Sequence, residues 1–361
     1  MYLFYFFLFS LLQTTNPVEL EEKIGQMLMI GFRGMEVSDT SHIVRDLEKY
    51  NLGGVILFDY DVPLQQPVRN IENREQVRRL NSDLQKFAGN SLLIAIDQEG
   101  GRVARLKPSK GFLPHRSAQY LGDLDDPDST RFYASSQADM LRNLGFIVNF
   151  APVVDVNTNP DNPVIGSIER SFSEDPAVVT RHTAIFLEEF SKKNILGVLK
   201  HFPGHGSAWN DSHLGMADVT ETWQPLELEP YKDLIKTEYT FGIMTAHVFN
   251  EHLDSEVPAT LSGNVQTELL RDSLGFQGLL FSDDMQMEAI RSFYGLEESI
   301  KMALLAGVDI LVFGNNSIYD SEIVPKATQI IKDLVESGEV PEEVIDKSFR
   351  RIQMVKEDLL R

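Results

Sequence analysis

Cysteine is absent from this sequence of 361 residues. The chain therefore forms no disulfides, binds no metal through thiolates and uses no cysteine nucleophile. Positive charge is also scarce: 33 Lys and Arg stand against 54 Asp and Glu, which gives a formal net charge of −21. A surface of this charge repels the phosphates of nucleic acids and anionic lipids, so we expect neither nucleic acid nor a membrane surface as a partner.

Long hydrophobic runs are rare as well. The longest covers residues 1–12, which are apolar except for Ser10. A run of this length is too short to span a bilayer but is typical of the core of a signal peptide, although no Lys or Arg precedes it and no small-x-small cleavage site follows. We predict that residues 1–17 are a signal peptide or, alternatively, an apolar segment docked on the domain. A signal peptide predicts export to the periplasm or the extracellular space, and a docked segment predicts a cytoplasmic protein.

Eight short apolar runs recur along the chain and alternate with polar stretches of helical period. The runs are Met27–Phe32, Gly54–Phe58, Leu92–Ile96, Ile147–Val154, Leu196–Leu199, Gly242–Ala246, Gly278–Phe281 and Asp309–Phe313. The helices expected between and after them are Ser41–Tyr50, Arg74–Ala88, Pro127–Leu144, Pro176–Lys193, Leu226–Lys236, Leu261–Leu274, Glu288–Ala306, Tyr319–Ser337 and Pro341–Leu360. Eight buried strands, each followed by a helix, indicate a parallel sheet that is covered on both faces.

This alternation predicts the α/β class and a single (β/α)8 TIM-type barrel with an additional C-terminal helix. The rival is an open doubly wound sheet, which usually has a glycine-rich phosphate turn after its first strand. Gly31-Phe32-Arg33-Gly34 does not have that spacing. Since the sequence also has no Pro/Ser-rich linker, we predict that residues 18–361 form one domain.

Polar clusters follow nearly every apolar run, at the ends of the predicted strands where barrel enzymes carry their active sites. The richest is Lys200–His213, which holds three of the eight histidines. The others are Asp97–Arg102 with Arg105, Asp155 with Asn157, Thr245–His247, Ser282–Asp284 and Gly314–Asn316. A barrel with a purely structural role would not need so many polar strand ends.

Three kinds of chemistry compete for these clusters. Zinc is one, with His201, His205, His213, Asp211 and His247 as ligands, but these residues form no His-Glu-x-x-His pattern on a helix. Phosphate binding at Gly100-Gly101-Arg102 is another and rests on a weak motif. Acid and base catalysis by carboxyl-type groups on either side of a sugar bond is the third and uses the most residues.

Two positions suit that third chemistry. Asp283 ends an apolar strand, so its carboxylate would be held rigidly, as a nucleophile requires. Its alternative role is to cap the next helix, for which Asp284 is better placed. Asp211 lies two residues before His213 and can hold the imidazole and raise its pKa, as a general acid and base near neutral pH requires. An ordinary surface hydrogen bond is the alternative for this second pair.

Together the motifs resemble family 3 glycoside hydrolases, in particular the single-domain β-N-acetylglucosaminidases of that family. The residues that carry the resemblance are Ile96–Arg105, Asn149–Val156, Glu169–Phe172, Lys200–Gly206, Asp211–His213, Met244–His247, Pro258–Ser262 and Phe281–Met285. They occur in the family's order between about residues 20 and 315.

The resemblance implies a (β/α)8 barrel and a retaining double displacement at a β-linked sugar, without cofactor or metal. It implies Asp283 as the nucleophile and His213 as the acid and base, supported by Asp211. The residues implied to hold the hydroxyls of the terminal sugar are Asp97, Arg105, Arg170, Lys200 and His201. The implied substrate is an oligosaccharide or glycopeptide with terminal N-acetylglucosamine, such as a fragment of peptidoglycan, in which case the role would be cell-wall recycling, or of chitin.

One departure lies after Gly206, where the family usually has Asp-Thr and this chain has Ser207-Ala208. Trp209 follows, and it could stack on a second sugar ring or pack within the protein. Three other functions stay open: a β-glucosidase or β-xylosidase, a phosphorylase that uses the same intermediate, and an inactive sugar-binding barrel. The sequence does not predict the oligomeric state.

Overall fold

The computed structural model describes residues 18–89, 92–212 and 214–359. The predicted signal peptide in residues 1–17 and the predicted catalytic His213 lie outside these ranges. In the described part of the chain, no helix combines the length and the apolar character needed to cross a bilayer.

Eight parallel strands form a closed barrel, as the alternation of runs predicted. In chain order they are β1 Leu28–Gly31, β2 Gly54–Leu57, β3 Leu93–Ile96, β4 Val148–Asn149, β5 Leu196–Phe202, β6 Phe241–Thr245, β7 Leu280–Phe281 and β8 Leu311–Phe313. Each strand from β1 to β7 pairs with the next one along the chain, except that β7 reaches β8 through a single bridge. That bridge joins Phe281 to Ile310, and β8 pairs with β1, so the sheet closes.

The strands are short and buried on both faces, because side chains fill the barrel inside and helices cover it outside. All four residues of β1 and all seven of β5 are buried. The apolar run at residues 147–154 is longer than β4, although its last residues stay buried and Val154 N donates to the carbonyl of Lys200 at 2.9 Å. Continuous apolar runs therefore locate buried parallel strands better than they locate strand ends.

The helices lie where the periodicity placed them, with two additions. The α-helices are Leu20–Gln26, His42–Tyr50, Arg74–Phe87, Ala118–Leu124, Pro127–Leu144, Pro176–Ser191, Glu229–Leu234, Glu288–Ala306, Ile323–Glu336 and Glu342–Leu359. The first and fourth have seven residues each and were not predicted, because two turns are too short to show a helical period. Pro127–Leu144 matches its prediction at both ends: Asp126 caps it and Gly145 ends it with a φ of 86°.

Two predicted helices take another form. The stretch predicted at Leu261–Leu274 contains a π-helix at Asn264–Ser273. The stretch predicted at Leu226–Lys236 begins with a 3-10 turn at Pro225–Leu228 before its short α-helix. The predicted C-terminal helix is present as Glu342–Leu359 and packs against Leu20–Gln26.

Two pairs of short strands lie at the carboxyl end of the barrel, outside the eight-stranded sheet. Gln98–Gly100 and Val103–Ala104 form an antiparallel hairpin just after β3. Ala217–Asp218 pairs with Val248–Phe249, which joins the loops that follow β5 and β6. The loops that carry the predicted site residues are therefore tied to one another as well as to the barrel.

Candidate active site

A cavity of about 370 Å³ opens at the carboxyl ends of the strands. Six of the eight predicted site residues line it: Asp97, Arg105, Arg170, Lys200, His201 and Asp283. They come from the ends of three strands and from two loops, and only the closed barrel brings them together. Asp211, which was predicted to support His213, is half-buried, and its neighbour Ser212 lines the cavity.

Asp97 and Lys200 form an ion pair at the base of the cavity. Lys200 Nζ lies 2.9 Å from Asp97 Oδ1, and Arg105 Nη2 lies 3.3 Å from Asp97 Oδ2. Burial alone would raise the pKa of Asp97, but the positive charges of Lys200 and Arg105 outweigh it and lower the pKa well below its usual range. Asp97 is therefore an ionised hydrogen-bond acceptor, held between two cationic donors.

Glu99 joins the same network from the other side. Its carboxylate accepts two 2.7 Å hydrogen bonds from Arg170 and lies 2.7 Å from Lys200 Nζ. Burial opposes ionisation of Glu99, and the charges of Arg170 and Lys200 overcome it, so its pKa is lowered. In the sequence Glu99 is only one member of a polar cluster, but the structure places its carboxylate between Arg170 and Lys200, two residues predicted to bind sugar.

His201 is held by Asp155, which lies fully buried behind the cavity wall. His201 Nδ1 lies 2.7 Å from Asp155 Oδ2, and His201 Nε2 lies 3.4 Å from Arg170 Nη2. Burial lowers the pKa of His201 well below its usual value, and the positive charge of Arg170 lowers it further. A neutral imidazole that donates from Nδ1 to Asp155 and accepts at Nε2 satisfies both contacts. Asp155 thus orients a cavity residue and does not itself face the cavity.

Asp283 follows β7 and is half-buried in the cavity wall. Its backbone N–H donates to Thr245 Oγ1 at 3.2 Å, and its Oδ1 accepts from the N–H of Asp284 at 2.8 Å. Thr245 Oγ1 in turn lies 2.7 Å from Thr260 Oγ1, which lies 2.8 Å from His247 Nδ1. This chain of hydrogen bonds fixes the backbone that presents the Asp283 carboxylate.

The hypothesis that Asp283 or Asp284 caps the following helix is wrong. That helix, Glu288–Ala306, begins four residues beyond Asp284, and its N-cap position is Met287. Asp284 Oδ1 instead accepts from the N–H groups of Gln286 and Gly314, each at 3.0 Å. It therefore ties the end of β7 to the end of β8.

The loop after β5 is anchored at several points before it reaches His213. His205 N donates to Asp155 Oδ1 at 2.8 Å, and His205 Nε2 lies 3.1 Å from Ser212 Oγ. Gly206 N donates to Glu227 Oε2 at 3.1 Å. Burial raises the pKa of Glu227 to about 8, so a neutral carboxyl group supports this turn at neutral pH.

Ser207 and Ala208, where the chain departs from the family pattern, are both buried. The carbonyl of Ala208 accepts a 2.9 Å hydrogen bond from Asn159 Nδ2. Trp209 is 60% exposed, which does not fit the alternative that it packs within the protein. Whether it contacts sugar stays a prediction.

Three of the histidines considered as zinc ligands, His201, His205 and His247, are engaged in other contacts. His201 binds Asp155, His205 binds Ser212, and His247 lies between Thr260 and the carbonyl of Asp284. Within the described ranges, no group of three His, Asp or Glu side chains has an arrangement suited to a metal ion.

Four residues that line the cavity from the loops after β2 and β8 were not predicted from the sequence. They are Asp59, Tyr60, Val62 and Ser317, whereas Asn316 belongs to the polar cluster predicted at Gly314–Asn316. No motif marks these four residues, and only the alternation of charged and apolar residues at Asp59–Val62 could have drawn attention to the first loop.

Comparisons of the sequence and of the structure with known proteins agree with one another. A family model described as "Glycosyl hydrolase family 3 N terminal domain" matches residues 19–355. Beta-hexosaminidase A of Pseudoalteromonas piscicida is 32% identical over 95% of this chain and 62% of its own length. Beta-hexosaminidase LpqI of Mycobacterium tuberculosis is 32% identical over 93% of this chain and 82% of its own length.

Among solved structures, a family 3 beta-N-acetylglucosaminidase from Paenibacillus sp. FPU-7 superposes with a TM-score of 0.85 at 35% identity. The match covers 95% of this chain and 63% of that one. The chain thus spans less than two thirds of the length of the Pseudoalteromonas and Paenibacillus proteins.

Proposed function

Because the chain belongs to glycoside hydrolase family 3, we propose that it is a retaining β-N-acetylhexosaminidase that removes terminal, non-reducing β-linked N-acetylglucosamine. The observation that carries the proposal is the cavity in which Asp283 shares a wall with Asp97, Arg105, Arg170 and Lys200. Relatives that are 32% identical over nearly the whole chain carry the name beta-hexosaminidase. The substrate we propose is an oligosaccharide or glycopeptide, from peptidoglycan or from chitin.

The binding step follows from the charges in the cavity. Lys200 and Arg105 can donate to sugar hydroxyls, and the ionised Asp97 between them can accept from a hydroxyl. Because these groups already neutralise one another, a neutral sugar can replace water in the cavity without leaving an uncompensated charge. An anionic sugar at this position would instead compete with Asp97 and Glu99 for the same cations.

The reaction has two steps. Asp283 attacks the anomeric carbon while His213 gives its proton to the leaving oxygen, so the glycosidic bond breaks and a glycosyl ester of Asp283 forms. Neutral His213 then takes a proton from water, the resulting hydroxide attacks the anomeric carbon, and the Asp283 carboxylate leaves. Two inversions give net retention. We assign the support of His213 to Asp211, from its place in the sequence.

The first experiment tests the nucleophile on a panel of aryl β-glycosides of N-acetylglucosamine, glucose and xylose. Wild type should prefer the N-acetylglucosaminide, and Asp283→Asn should lower kcat roughly 1,000-fold or more, as expected when a covalent nucleophile is lost. Asp272→Asn, on the exposed surface of the π-helix, is the matched control. Near wild-type turnover by Asp283→Asn would refute the assignment, and product analysis in phosphate buffer would reveal a phosphorylase.

The second experiment tests His213 through the leaving group. His213→Ala should strongly slow hydrolysis of a methyl glycoside, whose poor leaving group needs a proton, and affect a dinitrophenyl glycoside much less. Equal losses on both substrates would contradict a role as general acid.

We also propose export, on the basis of the apolar run in residues 1–12. Cell fractionation with an antibody against the domain, followed by N-terminal sequencing of the mature protein, tests it. A protein found only in the cytoplasm with residues 1–17 intact would contradict the proposal.

A further inference from the structure

Charged and apolar residues alternate in the segment that follows β2, and the burial of their side chains alternates in the same way. Asp59 and Asp61 are 3% and 2% exposed, whereas Tyr60 and Val62 between and after them are 40% and 50% exposed. The two carboxylates therefore face the protein, and the two apolar side chains face outward. Asp61 also pairs with Gln66 as an isolated antiparallel bridge, which closes residues 61–66 into a turn; we call residues 59–66 the β2 finger.

Ion pairs of the two buried carboxylates hold the β2 finger in place. Asp61 accepts hydrogen bonds from Arg33 Nε at 2.6 Å and from Arg69 Nη1 at 3.0 Å. Arg69 also donates to Asn316 Oδ1 at 2.8 Å, which ties the finger to the loop after β8. Asp59 lies 2.6 Å from Lys107 Nζ. With both flanking carboxylates fixed, the backbone of Tyr60 has little freedom before a substrate arrives.

The finger lies at the same cavity as the catalytic carboxylate. Tyr60 and Val62 line the cavity together with Asp283 and the charged residues at its base. The wall therefore combines charged and apolar side chains, and the β2 finger supplies two of the apolar ones. Small-molecule sites commonly combine apolar walls with a few orienting polar groups. The charged residues suit the hydroxyls of the terminal sugar, which leaves the exposed Tyr60 and Val62 side chains for the next part of the substrate.

We propose that Tyr60 and Val62 form the binding surface for the leaving-group sugar, with the apolar C–H face of that ring packed on the Tyr60 ring. The proposal rests on the proposed glycosidase function. It makes Tyr60 a determinant of specificity for oligosaccharides over simple glycosides, because only a substrate with a second ring covers the aromatic surface.

The test compares two substrates that share a terminal N-acetylglucosamine and an alkoxide leaving group. One is the β-1,4-linked disaccharide of N-acetylglucosamine and the other is the methyl β-glycoside. The measurement is the ratio of kcat/KM for the disaccharide to kcat/KM for the methyl glycoside. Tyr60→Ala should lower this ratio about tenfold, a loss of about 1.4 kcal/mol in recognition of the second ring. Tyr60→Phe, which keeps the ring, should stay within about twofold of wild type.

Tyr120→Ala is the control, because Tyr120 is similarly exposed, at 46%, and belongs to the helix Ala118–Leu124. It should leave the ratio unchanged. The inference is overturned if Tyr60→Ala lowers kcat/KM equally on both substrates or leaves the ratio at the wild-type value, or if Tyr60→Phe loses as much as Tyr60→Ala. If wild type cleaves neither substrate, the proposed function fails and this inference fails with it. If wild type cleaves both and the ratio does not respond, only the inference fails.

Discussion

Replacing Glu99 with glutamine should damage both the stability and the activity of the protein. Its side chain is 6% exposed and pairs with Arg170 and Lys200, whose side chains are 10% and 3% exposed. Glu99→Gln keeps the shape of the side chain but removes its charge. Lys200 retains Asp97 as a partner, whereas Arg170 loses the carboxylate that accepted two of its hydrogen bonds.

The magnitude follows from the burial of the pair. Breaking a buried ion pair by removing one partner costs about 3–5 kcal/mol, because the other charge is left uncompensated. The remaining carbonyl of glutamine still accepts one hydrogen bond, so we expect a cost of about 3 kcal/mol. An unfolding entropy of roughly 2 cal/mol/K per residue gives about 0.7 kcal/mol/K for a chain of this length, so Tm should fall by about 4 °C.

Activity should fall for a related reason. Arg170 and Lys200 are predicted to hold the terminal sugar, and their positions depend on Glu99. We expect kcat/KM on an aryl N-acetylglucosaminide to fall at least about tenfold, since a misplaced binding group weakens transition-state contacts. The pH dependence gives an independent check. The lowered pKa of Glu99 means that its contribution is present above the ordinary carboxyl pKa and is lost as the pH falls below it. The difference in Tm between wild type and variant should therefore shrink in acid.

Calorimetry across pH and steady-state kinetics provide the measurements. Glu36→Gln is the control, because the Glu36 side chain is 77% exposed and lies 3.6 Å from Arg79 at the surface, where ion pairs contribute little. A Glu99→Gln protein with the stability and kcat/KM of wild type would refute the reasoning that this buried carboxylate organises the cavity.

Two further predictions concern buried groups with a displaced pKa. Burial raises the pKa of Glu227 to about 8, so between about pH 4.5 and 8 the folded state keeps a proton that the unfolded state has released. The free energy of unfolding therefore falls as the pH rises through this window, by up to about 1.4 kcal/mol per pH unit. Glu227→Gln stays neutral, so its Tm relative to wild type should rise through that window, and a difference independent of pH would contradict the assignment. Lys356 is buried with its Nζ 2.7 Å from Gln26 Oε1, and burial lowers its pKa from about 10.5 to about 7. Wild-type stability should therefore rise as the pH increases from about 7 to about 10.5. Lys356→Met should be more stable than wild type at pH 7 by a margin that narrows toward pH 10.5, and a lower Tm at pH 7 would count against this explanation.

The sequence by itself determined the eight strands and most of the helices. A strand that is buried on both faces must be apolar throughout, so each barrel strand stands out as a short continuous run. The helix Pro127–Leu144 is marked at both ends by local residues, Asp126 and Gly145. The candidate residues Asp97, Lys200 and Asp283 could be named for the same reason, because residues at or just after the carboxyl end of a barrel strand lie at the open face.

Only the tertiary structure decided which of these side chains meet. Glu99 and Arg170 are 71 residues apart in the chain, and their two hydrogen bonds exist because β3 and the loop after β4 lie side by side in the closed barrel. Asp155 looked like a cavity carboxylate in the sequence, yet it is fully buried and orients His201. No sequence motif marks Tyr60, and its position depends on the ion pairs of its two neighbours, Asp59 and Asp61. The local sequence pattern indicates which residues are buried and where the chain turns. Contacts between loops depend instead on closure of the barrel, which involves all eight strands and cannot be predicted from any single segment.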